Sequence, residues 1–142
     1  MATDIRCETV NARIRENRAE ELEALIRQLF NRRHHDWIAS KDKMWLTVEL
    51  VQSLRKKSSV YRTMSSKTEG PLLFELGYFR IRDGTLDTLT DALPEARPEA
   101  LARVLSEFLE PGAELHFHTD TEAFGWTIKG IDELAKLDPA ST

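Results

Sequence analysis

Two histidines and a glutamate near the end of the chain are the residues with the clearest potential for metal chemistry. His116, His118 and Glu122 occur in the stretch ELHFHTDTE, which begins at Glu114. Side chains two residues apart on a β-strand point to the same face, so the two imidazoles would lie side by side. Imidazole nitrogens and carboxylates are common ligands of transition metals. The spacing therefore raises the hypothesis of a metal-dependent enzyme.

The seven residues from His116 to Glu122 resemble the HxHxxxE portion of the cupin metal motif. That resemblance implies a β-barrel with a further ligand on a later strand, yet no histidine follows Glu122. The same stretch alternates in the manner of an ordinary hairpin, which would direct Leu115 and Phe117 to the core and both histidines to water. We favour the hairpin and expect no cofactor.

The sequence gives little evidence for other catalytic motifs. The glycines form neither a GxGxxG nor a GxxxxGK run, which argues against the usual nucleotide loops. The single cysteine, Cys7, cannot form an internal disulfide and is not predicted to be a catalytic nucleophile. The first residues lack the apolar core of a signal peptide, and no apolar run approaches the roughly 18 residues that span a bilayer. We therefore predict a cytoplasmic protein without a membrane partner.

Charge divides the chain into a basic half and an acidic half. Residues 1–67 contain 14 Lys and Arg against 9 Asp and Glu, a net charge of +5, whereas residues 68–142 contain 6 against 15, a net charge of −9. The two halves could attract each other within one fold, or each could face a partner of opposite charge. The length of 142 residues predicts a single domain over 1–142.

The positive charge is concentrated in residues 27–67, where 10 basic residues accompany 3 acidic ones. Trp37, Trp45 and Tyr61 are interleaved with these cations, and phosphates and stacked bases bind such groups. The tryptophans also suit a core. No helix-turn-helix, zinc-finger or RNP signature is present, so sequence-specific readout is not predicted. The candidate surface for a nucleic acid or an acidic partner comprises Arg32, Arg33, Lys41, Lys43, Arg55, Lys56, Lys57 and Arg62.

Acidic residues recur along two predicted helices in the second half of the chain. They could steer a basic partner toward the surface, or they could only keep the protein dissolved. The full set is Asp83, Asp87, Asp91, Glu95, Glu99, Glu107, Glu110 and Glu114. Within it, the predicted contact residues for a basic partner are Asp87, Asp91 and Glu95.

Apolar periodicity predicts two helices in the basic half. The first extends from about Asp4 to Arg33, with Leu22, Leu25 and Ile26 on one stripe, and is long enough to project from a small domain. A homodimer through this helix would cover the stripe. The second helix extends from Met44 to Lys57 and ends in three cations, as the helix dipole favours. Residues 58–70 are predicted to be a linker or a short edge strand, and residues 70–77 a short helix.

The acidic half is predicted to mix helices with a small sheet. Residues 78–82 alternate as a strand, and Thr85 is placed at the start of a helix in preference to a continuing hairpin. A helix beginning at Pro98 presents one apolar face. The final hairpin is followed by a helical turn over residues 131–137.

These elements predict an α+β fold, with a helical N-terminal half followed by helices and a small antiparallel sheet that ends in a β-hairpin. For function, we predict a non-catalytic binding protein of the adaptor, inhibitor or immunity type that acts on a protein partner. Nucleic-acid binding through residues 27–67 is the first alternative. The metal-dependent enzyme is the second.

Overall fold

A computed structural model of the chain describes residues 5–34, 42–64, 72, 76, 79–88, 92–93 and 97–137, with the backbone alone for 29–34, 42–49 and 92–93. Two short 3-10 helices cover Glu16–Arg18 and Tyr61–Thr63. The α-helices are α1 (Ala19–His34), α2 (Asp42–Lys57) and α3 (Pro98–Leu105). The strands are β1 (Ile5–Val10), β2 (Phe79–Arg82), β3 (Thr85–Thr88), β4 (Ala92–Leu93), β5 (Glu114–His118), β6 (Ala123–Gly130) and β7 (Glu133–Lys136).

Within the described residues, five strands form one antiparallel sheet in the order β4-β1-β5-β6-β7, and β2 with β3 forms a separate hairpin. The predicted α+β class is confirmed. The N-terminal strand β1 lies between β4 and β5, so the two ends of the described chain meet in one sheet. Such pairing of distant segments cannot be seen in local sequence patterns.

The predicted helix from Asp4 to Arg33 is wrong in its first half. Residues 5–10 form β1, in which Cys7 is buried while its neighbours Arg6 and Glu8 are exposed, a period of two that suits a strand. Asn11 has a φ of 52° and ends the strand. The helical stripe itself is confirmed in α1, where its leucines and isoleucine are buried. Because the stripe packs within its own chain, the reason for proposing a dimer through a projecting helix disappears.

Two predicted helical segments in the second half are strands. Thr85 begins β3, which pairs with β2 across a turn at Asp83 and Gly84 whose φ values are 52° and 75°. Two successive residues with positive φ make the tight turn whose twist matches a hairpin. Residues 133–136 form β7, which pairs with β6 after a turn in which Asp132 has a φ of 57°. Tertiary pairing overrode the helical preference of these short segments.

The remaining helices agree more closely with prediction. α2 ends at Lys57 as expected, and α3 begins at Pro98 as predicted but ends at Leu105. The apolar residues that follow, such as Phe108, are buried in turns. Residues 58–64 form turns and a 3-10 helix, and are therefore neither linker nor strand. Most of the predicted helix over 70–77 lies outside the described residues.

The sheet has one face on the core and one facing outward. Cys7, Leu115, Phe117 and Ile128 are buried on the inner face, where α3 packs against β6 and β7. Aromatic rings continue this layer, since Phe117 stacks on Phe124 at 5.7 Å between centroids. Burial of large side chains of this kind dominates the stability of a domain this size.

A surface ion pair joins α3 to the turn before β7. Arg103 Nε donates to Asp132 Oδ1 at 2.7 Å, and its guanidinium also contacts the second carboxylate oxygen at 3.1 Å. This hydrogen bond lowers the pKa of Asp132 below its ordinary value and raises that of Arg103. The pair therefore links the helix to the sheet in a way that depends on pH.

Asp132→Asn should reduce the free energy of unfolding at pH 7 by less than about 1 kcal/mol, because both side chains are more than one-third exposed. Since the folded carboxyl has the lower pKa, its contribution is complete above the unfolded value near 3.9 and is lost as pH falls further. Urea denaturation at pH 7 and at about pH 2.5 should show a smaller difference at pH 2.5 than at pH 7. The exposed neighbour Glu133→Gln is the control, and an equal difference at both pH values would contradict the expectation.

Candidate binding surfaces

The outer face of the five-stranded sheet carries the histidines identified in the sequence. Their placement on the polar side of the hairpin is confirmed, because Leu115 and Phe117 are buried while His116 and His118 are only partly so. The pairing of β1 with β5 sets neighbouring side chains on this face, namely Arg6 with His118, Glu8 with His116 and Val10 with Glu114. We call the outward-facing side of β1, β5, β6 and β7 the open face. Its residues are Arg6, Glu8, Val10, Glu114, His116, His118, Ala123, Gly125, Thr127 and Ala135.

The proposed metal ligands are not all brought together. His116 Nε2 lies 2.8 Å from Glu114 Oε1, so a carboxylate on its own strand is its partner. Glu122 is exposed in the turn, where its backbone N–H donates to the hydroxyl of Thr119 at 3.1 Å. Across the described ranges, no three His, Cys, Asp or Glu side chains are grouped so as to hold a metal ion.

Small residues form the other half of the open face. The register places Gly125 opposite His116, Ala123 opposite His118, and Thr127 between Glu114 and Ala135. Gly125 is buried, and a Cβ built there would lie 2.9 Å from Leu137 Cδ1 and collide with the Leu115 carbonyl oxygen. The close backbone approach makes glycine necessary at this position. The open face is therefore charged along β1 and β5, whereas the Leu137 side chain covers the backbone of β6 at Gly125.

The charges of the open face have both signs. Arg6 and Glu8 are exposed on β1, and Glu114 is partly exposed on β5 beside the two imidazoles. A polyanion such as nucleic acid would be repelled by the carboxylates, whereas a protein can present complementary charges to each position. The geometry thus suits contact with a folded protein surface.

The basic residues predicted for residues 27–67 are gathered only in part. Lys56 is exposed in the last turn of α2 and Arg62 is exposed in the 3-10 helix that follows, where its Nε donates to the backbone carbonyl of Arg55 at 3.0 Å. We call Arg55, Lys56, Lys57 and Arg62 the basic end of α2. Lys41 lies outside the described residues, and only the backbone is described at Arg32, Arg33 and Lys43.

Tyr61 cannot serve as the stacking platform that the sequence suggested. Its side chain is 0% exposed and belongs to the core. Trp37 lies outside the described residues, and only the backbone of Trp45 is described. Of the three interleaved aromatic residues, the one whose side chain is described is therefore buried.

The predicted acidic surface is also only partly described. Asp87 lies on β3, and its carboxylate pairs with Arg80 Nη2 across the hairpin at 3.1 Å. Asp91 and Glu95 lie outside the described residues. The sequence grouped Glu107 with the solvent-exposed acidic residues. That prediction is wrong for Glu107, which is 4% exposed. Its position in the core requires a different role.

Glu107 is held by donors from the end of α2. Its Oε1 accepts hydrogen bonds from the Ser58 hydroxyl and the Val60 backbone N–H, both at 2.6 Å, and the Ser59 hydroxyl lies 3.4 Å from Oε2. Arg18 Nη1 is 4.0 Å from the same oxygen. We call these five residues the Glu107 clasp. It satisfies a buried carboxylate with donors more than 40 residues away in sequence.

Arg18 connects the clasp to the start of α1. Its guanidinium lies over the ring of Phe108, 4.5 Å from the centroid, and Nη2 donates to the backbone carbonyl of Lys57. Nε lies 3.1 Å from Glu21 Oε2. The sequence patterns did not reveal this cluster, although Glu107 and Ser106 interrupt an otherwise apolar run from Val104 to Leu109. That interruption was the signal available.

No protein-family model, curated protein or solved structure matches the chain. In the described part of the chain, none of the helices combines the length and apolar character needed to cross a membrane. Functional inference therefore rests on the chemistry of the surfaces themselves.

Proposed function

We propose that the chain is a non-catalytic binding protein, of the adaptor, inhibitor or immunity type, that contacts a protein partner through the open face. The observation that carries this proposal is the register of β1 with β5, which places Arg6, Glu8, His116 and His118 on one outward surface. These side chains belong to a sheet whose inner face packs against the hydrophobic core. A rigid surface loses little conformational entropy when it binds, which favours affinity.

The charge pattern of the open face supports a protein partner. Positive and negative groups on neighbouring strands can specify orientation, because a wrong partner brings like charges together. The smaller side chains of β6, Ala123 and Thr127, lie beside these charges. Charged positions that give specificity next to less polar contact area are the general arrangement of protein interfaces.

Glu8→Arg should weaken capture of a specific partner at least tenfold, because it replaces an exposed carboxylate in the middle of the charged rows. The measurement is affinity capture with quantitative mass spectrometry, followed by titration of the identified partner. Glu16→Arg, the same change at an exposed position in the first 3-10 helix, is the matched control.

Either of two results would contradict the open-face proposal. Equal partner binding by Glu8→Arg and the wild type is the first. The second is loss of binding only in a variant with charge reversal at Asp87, Asp91 and Glu95, which would place the contact on the acidic half for a basic partner. Circular dichroism of each variant separates loss of binding from loss of folding.

Nucleic-acid binding is a second candidate, supported by the basic end of α2. Four basic residues occur there within eight residues of the sequence, and Lys56 and Arg62 are exposed. Arginine and lysine that neutralise phosphates release counterions, so such binding should weaken steeply as salt increases. The mixed charges of the open face do not favour this function, which makes the two candidates distinguishable by location.

Fluorescence anisotropy with single- and double-stranded oligonucleotides tests the second candidate. If it is correct, affinity should fall by at least tenfold between about 50 and 200 mM salt, and the combined variant Lys56→Glu and Lys57→Glu should abolish binding. Arg6→Glu, on the open face, should leave the affinity nearly unchanged. Absence of binding at 50 mM salt would eliminate this candidate.

A further inference from the structure

Ser59 lies at the solvent-facing end of the Glu107 clasp and beside the basic end of α2. We propose that Ser59 is a phosphorylation site for a serine/threonine protein kinase that selects basic residues before its target, and that the phosphate loosens the clasp. The site differs from the open face, and the inference does not depend on the proposed function.

Burial distinguishes Ser59 from its neighbour. Ser58 is 0% exposed and its hydroxyl donates to Glu107, so a kinase cannot reach it in the folded protein. Ser59 is exposed, and its hydroxyl lies at the edge of the clasp. Of the two adjacent serines, only Ser59 combines access from solvent with a contact to the buried carboxylate.

The residues before Ser59 supply the charge that a basophilic kinase recognises. Arg55, Lys56 and Lys57 lie four, three and two residues before it, and Lys56 is exposed. A kinase with carboxylates in its substrate groove would be attracted to this cluster through complementary charge. The position of the cations on the end of α2 keeps them close to the hydroxyl that would react.

The chemistry is ordinary phosphoryl transfer from ATP. The Ser59 oxygen forms a bond to the γ-phosphorus while the bond from that phosphorus to the β,γ-bridging oxygen breaks, and ADP leaves. The hydroxyl proton passes to the catalytic aspartate of the kinase. The product oxygen has no hydrogen and can no longer donate to Glu107.

The phosphate should destabilise the clasp through its charge. It carries between about −1.5 and −2 charges at pH 7 and would be attached to the Ser59 oxygen, which lies 3.4 Å from Glu107 Oε2. The Glu107 side chain is only 5% exposed, so solvent screens this repulsion poorly. Lys56 and Arg62 can attract the phosphate outward, but exposed ion pairs contribute little. Arg18 is already held by Glu21 and by the Lys57 carbonyl, so we expect repulsion from the buried carboxylate to determine the direction of the effect.

The first test treats the whole folded chain with ATP and the purified catalytic subunit of a basophilic kinase, and maps phosphate by mass spectrometry. We expect phosphate on Ser59 and none at that position in Ser59→Ala. A synthetic peptide of residues 53–64 serves as the positive control for the kinase. Phosphorylation of the peptide without phosphorylation of Ser59 in the folded chain would overturn the assignment.

The second test measures the effect of charge without a kinase. Ser59→Glu should melt about 4 °C or more below Ser59→Gln, since the two side chains have nearly the same shape and differ in charge. Both variants should retain the wild-type circular dichroism spectrum at 20 °C. Equal melting temperatures would overturn the claim that negative charge at Ser59 loosens the clasp.

Discussion

Replacing Glu107 by alanine should lower the free energy of unfolding by about 3 to 5 kcal/mol, a large fraction of the stability of a domain of this size. The change leaves the Ser58 hydroxyl and the Val60 N–H without their acceptor inside the protein, and removes a carboxylate that lies 4.0 Å from the Arg18 guanidinium. Unpaired buried donors and charges are costly because they have lost water without gaining a partner. Urea denaturation at pH 7 measures the loss.

Two further variants make the Glu107 prediction specific. Glu107→Gln keeps an oxygen acceptor but removes the charge, and its loss of stability should fall between those of the wild type and the alanine variant. Glu110→Ala removes an exposed carboxylate three residues away and should change stability by less than about 0.5 kcal/mol. A Glu107→Ala variant as stable as Glu110→Ala would show that the clasp contributes little.

Gly125→Ala should lower the free energy of unfolding by about 3 kcal/mol or more, at the upper end of the usual cost of overpacking. The added Cβ would collide with the backbone carbonyl oxygen of Leu115 on the neighbouring strand. A carbonyl within a sheet cannot move without disturbing the pairing of β5 with β6. We expect a lower denaturation midpoint and altered NMR amide shifts along both strands.

Gly130→Ala is the matched control on the same strand. Its Cβ would approach only the flexible carboxylate of Glu133, at 3.1 Å, and this side chain can rotate away. The difference between the two variants therefore isolates the effect of a backbone obstacle from the general effect of adding a methyl group. Equal stabilities for Gly125→Ala and Gly130→Ala would contradict the close approach of β5 and β6.

Local pattern was sufficient for several parts of the molecule. The alternation from Leu115 to His118 predicted the strand and the outward direction of both histidines, because side chains in a strand alternate between faces. The apolar stripe of α1, the cations at the end of α2 and the start of α3 at Pro98 were also recognisable. Each of these predictions depends on residues that are close in sequence, within a few helical turns or a single strand.

The candidate sites depended more on distant segments. The open face exists because β1, from the beginning of the chain, pairs with β5, and no local pattern indicates that register. The Glu107 clasp likewise joins residues about 47 positions apart. Its only local sign was a carboxylate within an apolar run, which the surrounding acidic residues concealed.

The sequence by itself determined the α+β class, the hairpin with its outward histidines and the basic end of α2. The tertiary structure decided that residues 5–10 and 133–136 are strands, that Glu107 is buried, and which charges share the open face. Short segments have weak preferences of their own, so packing and pairing with distant partners select their conformation. A carboxylate can likewise enter the core only where the fold supplies donors, and those donors come from another part of the chain.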